Sequence, residues 1–194
     1  MVQAPDWQEV ETTLFEKSKE AIERFAKEHP DVQCSFFAYS ADPISGEFAI
    51  SIDTPENALQ QARKEELRVY QWRKGWLATP DASKYTHEYL KKPNSTDYTS
   101  IVDYFQFAFY EYFMFDGWTT FFDSDSYPES QPLEDDYLAG NVRIIIWKVF
   151  ERLIQEQVFS QLNTTSFFRL GYYFHEEDLI VLRILNWPTF PKEE

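Results

Sequence analysis

Cys34-Ser35-Phe36-Phe37-Ala38-Tyr39, a break at Asp42-Pro43-Ile44-Ser45-Gly46, then Glu47-Phe48-Ala49-Ile50-Ser51-Ile52, then Asp53-Thr54-Pro55-Glu56-Asn57: this run decides how the chain folds. Cys34, Phe36 and Ala38 alternate with Ser35, Phe37 and Tyr39, and Phe48, Ile50 and Ile52 alternate with Ala49 and Ser51. A period of two, rich in aromatic and β-branched residues and interrupted by Pro and Gly, predicts an antiparallel hairpin with a strong core face. Thr54 followed by Pro55 predicts a helix start. The threonine hydroxyl can accept a first-turn N–H, and proline has no N–H to lose there. Cys34 reads as a small buried hydrophobe, because a reactive thiol needs a base and an electropositive setting that are not visible here.

Upstream, Asp6 with Glu9 three residues on gives an N-cap pattern, and Trp7, Val10, Leu14, Ala21, Ile22 and Phe25 recur on one helical face. His29-Pro30 should end that helix, since the residue before proline avoids the α region. Downstream of the Thr54 cap, Ala58, Leu59, Ala62 and Leu67 mark a buried side. Arg68-Val69-Tyr70-Gln71-Trp72 then reads as a short strand. Residues 81–92 read as a helix, and 97–115 as a longer one whose stripe is Ile101, Phe105, Ala108, Phe109, Tyr112 and Phe113. A core helix over 137–158 carries Leu138, Val142, Ile145, Ile146, Val149 and Leu153, and 166–174 with 179–185 form a second hairpin. The expected fold is a single α+β domain: an antiparallel sheet of two hairpins plus the short strand, covered by helices on one face. Strict βαβ alternation, which would demand a parallel sheet, is missing.

The totals narrow the function classes. The 194 residues suffice for one domain with a full core, and with 43% hydrophobic and 19% aromatic residues the chain is not disordered throughout. Lys plus Arg number 18 against 33 Asp plus Glu, a net charge of −15. That balance argues against nucleic acid and anionic membrane surfaces as partners, whose attraction comes from Lys and Arg, and it permits a basic protein partner. A single cysteine makes no internal disulfide, and neither a signal peptide nor a run of about 18 apolar residues is present, so a reducing cytoplasm is the expected location. The sequence leaves the oligomeric state open.

No catalytic or cofactor motif stands out. His29, His87 and His175 are far apart in sequence, and no H-x-x-x-H, C-x-x-C or G-x-S-x-G occurs, so no metal and no cofactor is expected. Two other stretches invite a functional reading. Tyr70, Trp72 and Trp76 could wall a small-molecule or hydrolytic pocket, or simply seal one end of the core. Residues 116–136 hold seven acids and neither Lys nor Arg, together with Trp118, Phe121, Phe122 and Tyr127, and Pro128 and Pro132 oppose regular structure. An EF-hand counted from Asp123 fails at Tyr127 and Pro128, where an oxygen ligand and a glycine are required. The segment is expected to be either a solvated loop whose aromatics tuck back into the core or a recognition loop for a basic partner. Asp123, Asp125, Glu129, Glu134, Asp135 and Asp136 would steer the partner, and Trp118 and Tyr127 would anchor it.

Phe36-Phe37-Ala38-Tyr39, Asp53-Thr54-Pro55-Glu56, Tyr70-Gln71-Trp72 with Trp76, and Leu182-Arg183-Ile184-Leu185-Asn186 occur in an order that resembles one bacterial family, the domain of unknown function numbered four-three-zero-three. The resemblance runs from the first helix to Asn186. It implies an α+β domain without an established activity, so no residue role carries over. Small acidic α+β proteins of this kind also resemble the immunity proteins that bacteria keep beside toxins. The 116–136 segment is longer and more acidic than the family pattern.

Overall fold

The computed structural model describes residues 5–77, 105–115, 118, 131–174 and 179–185. The first helix, α1, spans Trp7–Glu28. The Asp6 carboxylate accepts from the N–H groups of Gln8 at 3.0 Å and Glu9 at 3.3 Å, which satisfies donors that the helix start leaves unpaired. The hairpin follows as expected: β1, Gln33–Asp42, pairs antiparallel with β2, Glu47–Asp53, placing Tyr39 beside Ile50. Thr54 then caps α2, Pro55–Leu77, its hydroxyl oxygen accepting from Asn57 N–H at 3.2 Å.

Two elements differ from the sequence expectation. The short strand at Arg68–Trp72 is helix, because α2 continues through it to Leu77. Gln60, Gln61, Arg63, Lys64, Glu65, Glu66 and Leu67 are strong helix formers, and they carry the helix into the aromatic residues. The stripe read as a helix over 97–115 is, from Phe107 to Met114, a strand: β3, paired antiparallel with β2. A bulge explains the misreading. The β2–β3 register shifts between Ile50 and Ile52, and Phe109 takes a left-handed φ of 53°. Ile50 pairs with Glu111 and Ile52 with Phe107, so β3 carries two extra residues there, and extra residues in a strand break its period of two. Phe107, Tyr110 and Phe113 all pack against the core, and the first two meet Phe25 of α1. The expected helix at 81–92 lies outside the described residues.

The second half consists of α3, Gln131–Gln155, a short 3-10 turn at Val158–Gln161, β4, Asn163–Phe174, and β5, Ile180–Leu185. The hairpin of β4 and β5 is antiparallel, as expected. The five strands run in the order β3-β2-β1-β4-β5. The sheet is mixed rather than antiparallel, because the two hairpins join through β1 and β4, which run parallel.

The helices α1 and α3 lie against each other over one face of this sheet. Phe37, Tyr39, Phe48, Ile50 and Ile52 from the hairpin meet Leu14, Ile22 and Phe25 from α1 and Val142, Ile146, Val149 and Phe150 from α3. Tyr39 is buried, and its hydroxyl meets Ser18 Oγ at 2.5 Å. Ser18 itself donates to Leu14 O, so the Tyr39 O–H is the donor in that pair. The opposite face carries a smaller cluster of Phe36, Ala38 and Phe105. Asp53 ties the hairpin to both neighbouring elements: its Oδ1 accepts from Asn57 Nδ2 at 2.7 Å and from Gln106 N at 3.0 Å.

Candidate functional site

Strand alternation sends Phe37, Tyr39 and Ala41 into the helix-covered core and leaves Ala38 and Ser40 on the other face. On β2 the same rule separates Phe48, Ile50 and Ile52 from Ala49 and Ser51. Register then aligns four strands into one row. Ser40 is the partner of Ala49 on β2 and of Tyr173 on β4, and Ala49 is the partner of Tyr112 on β3. Two small residues therefore form a floor between two tyrosines. Two residues along β1 toward the β1–β2 turn, Asp42 is the partner of Glu47. Two residues the other way, Ala38 is the partner of Ser51 and of Gly171. The small residues leave a cavity of about 480 Å³ on this face, which Ser40, Asp42, Glu47, Ala49, Phe109, Tyr112 and Tyr173 help to line. That volume lies within the range of small-ligand sites.

The bulge on β3 furnishes one wall. Phe109 N–H donates to Ser51 Oγ at 3.0 Å, which holds the left-handed Phe109 in place on the cavity side. The bulge turns Tyr110 the other way, where its hydroxyl donates to Glu28 at 2.6 Å and accepts from Arg24 Nε at 3.2 Å. Arg24 also pairs with Glu111. These bonds push the Arg24 pKa up and fasten α1 to β3.

At the cavity mouth, Asp42 Oδ1 accepts from Ile44 N–H at 2.9 Å and shapes the turn. The Tyr112 hydroxyl hydrogen-bonds to Glu47. Among the described residues no ion pair reaches Asp42 or Glu47. The Ser40 hydroxyl is shielded from solvent and has no hydrogen-bond partner among them.

The residues expected from sequence fare differently. Trp118 is 2% exposed and belongs to the core, so it is not a surface anchor. Its ring packs edge-on against Trp7 at 5.4 Å, and its indole N–H donates to Pro43 O at 3.0 Å. Asp123, Asp125, Tyr127 and Glu129 lie outside the described residues. Glu134, Asp135 and Asp136 belong to α3 rather than to a loop, because the helix starts at Gln131, with Pro132 tolerated in its first turn. Tyr70, Trp72 and Trp76 are on α2; Tyr70 is half-buried, and the side chains of Trp72 and Trp76 are not among those described. His29 caps α1, and its ring is tilted against those of Phe25 and Phe107, each at 4.8 Å. Cys34 is buried, and desolvation pushes its thiol pKa up to about 12. Among the described residues no group of three or more His, Cys, Asp or Glu could hold a metal ion, and no helix is long and apolar enough to cross a membrane.

The sequence did carry a sign of the cavity. Ala38, Ser40, Ala49 and Ser51 are uniformly small on one face of a hairpin whose other face is mostly large. Tyr112 was hidden by the helical reading of its strand, and Tyr173 by the unforeseen parallel pairing of β1 with β4. Compared with known proteins, the chain matches no family model, no curated protein and no solved structure.

Proposed function

We propose that this chain is a non-catalytic binding protein that takes a basic protein partner, in the manner of an immunity-type protein. The observation that carries this reading is a carboxylate-rimmed, aromatic-walled cavity on a chain of net charge −15. Such a field steers a basic partner and raises association rates by roughly 10–10³-fold at low salt. Aromatic residues supply the contacts that slow release. Asp123, Asp125, Tyr127, Glu129, Glu134, Asp135 and Asp136 remain part of the proposed recognition surface. Trp118 leaves it, because its ring is spent on the core. Membership of the family numbered four-three-zero-three, and a cytoplasmic location, belong to the same proposal. They rest on the short motifs quoted above and on the single cysteine.

The test is surface-plasmon binding of the protein to the product of the neighbouring reading frame. A variant with Asp123, Asp125, Glu134, Asp135 and Asp136 changed to amides serves as comparison. The reading expects saturable binding whose association rate falls at least about tenfold between low salt and roughly 0.3 M, and falls again in the variant. Equal rates for both proteins at every salt concentration would remove the acidic segment from the account.

A further inference from the structure

We infer that the cavity between Tyr112 and Tyr173 seats a lysine or arginine side chain of a basic peptide segment, with Asp42 and Glu47 as its counter-charge. This deepens the basic-partner reading and rests on it. The row geometry supplies the shape. Tyr112 and Tyr173 are three strand spacings apart, about 14 Å between Cα atoms, over the small floor of Ala49 and Ser40. An extended alkyl stem can lie along that floor with aromatic faces on both sides, and such faces attract cations.

The charges name the guest. Asp42 and Glu47 face each other directly across β1 and β2, and like charges in that position destabilise a sheet. Asp42 needs one oxygen for the turn, bonded to Ile44 N–H. A cationic head at the mouth would bond the remaining carboxylate oxygens and remove their mutual repulsion. An anionic ligand would meet the two carboxylates, and a purely apolar one would leave them facing each other. At about 480 Å³ the cavity exceeds a single side chain, which points to part of a peptide rather than a free amine.

The experiment is amide chemical-shift mapping with tri-arginine, Nα-acetyl-arginine amide and the neutral isostere Nα-acetyl-norleucine amide. It uses wild type, Asp42→Asn with Glu47→Gln, and Tyr112→Ala. Tyr112 is 54% exposed, so its loss spares the core, and circular dichroism checks each fold. The expected result is saturable shifts at Ser40, Glu47, Ala49 and Tyr112 with both arginine probes and none with norleucine. Affinity for arginine amide should drop about tenfold in the double amide variant and several-fold in Tyr112→Ala. Equal shifts with norleucine overturn the assignment. Tri-arginine shifts confined to 131–136 and other acidic surface also overturn it, while leaving the basic-partner reading in place. No shift anywhere with tri-arginine at low salt removes both.

Discussion

The indole of Trp118 lies directly on Gly46: a Cβ added to that glycine would come within 2.3 Å of Trp118 Cγ. Gly46 also holds a φ of 74°, which a side chain resists. Phe115 N–H donates to Gly46 O at 3.2 Å, so the end of β3 is pinned to the same turn. One contact therefore closes the β1–β2 turn, whose flanking residues Asp42 and Glu47 rim the cavity. Gly46→Ala should cost about 2–4 kcal/mol, from left-handed strain plus displacement of the ring, and Trp118→Ala about 3–5 kcal/mol. Urea midpoints measure both. Losses under about 0.5 kcal/mol would mean that the indole does not pack as described.

Phe109 is held in a strained conformation beside the cavity and is 50% exposed. A non-glycine residue there costs about 1–2 kcal/mol. Phe109→Gly should leave thermal stability unchanged or raise it, because relief of strain offsets the packing that a half-exposed ring supplies. The same change should weaken binding of the arginine probes. A variant that is both less stable and equally good at binding would show that the bulge serves the fold alone.

Asp53 makes a pH prediction. Burial raises its pKa, and the hydrogen bonds from Asn57, Gln106 and Thr54 offset this only in part. A raised carboxyl holds its proton more tightly in the fold than in the unfolded chain. Its contribution is therefore fully present below the unfolded value, about 3.9, and is lost as pH rises through the folded value. The stability of wild type relative to Asp53→Asn should accordingly decline on going from about pH 4 upward, as read from denaturation at a series of pH values. A relative stability that climbs over that interval contradicts the raised pKa.

Cys34 should be inert. With a thiol pKa of about 12 and a buried sulfur, almost no thiolate is available near neutrality. An aromatic disulfide reagent at about pH 8 should label the native chain only at the rate of unfolding, and label it at once in denaturant. Rapid labelling of the native protein would show an open path to β1.

Local signals were legible where local physics governs. The Asp6 and Thr54 caps, the hairpin of β1 and β2, and that of β4 and β5 each follow from residues a few positions apart. What was not legible depends on distant partners. The bulge at Phe109 lets β3 fit β2 on one side and Arg24 of α1 on the other, and its two extra residues disguised the strand's period of two. Trp118 sits in an acidic, proline-bearing stretch whose local pattern does not decide whether its aromatics turn inward, because its N–H partner, Pro43, is 75 positions away. The floor of Ser40 and Ala49 was visible as small residues. Its walls, Tyr112 and Tyr173, become neighbours only through the β3–β2 and β1–β4 registers, which no local pattern announces.

The most direct test of the central claim is charge reversal at the cavity mouth. Wild type and the Asp42→Lys, Glu47→Lys variant are titrated with tri-arginine and with tri-glutamate at low salt, and affinities are read by calorimetry. The chain stays strongly acidic after the change, so attraction by overall charge alone would keep tri-arginine preferred. A cation seat at Asp42 and Glu47 predicts that wild type binds only tri-arginine and that the variant loses this binding by at least about tenfold. Undiminished tri-arginine affinity in the variant would contradict it.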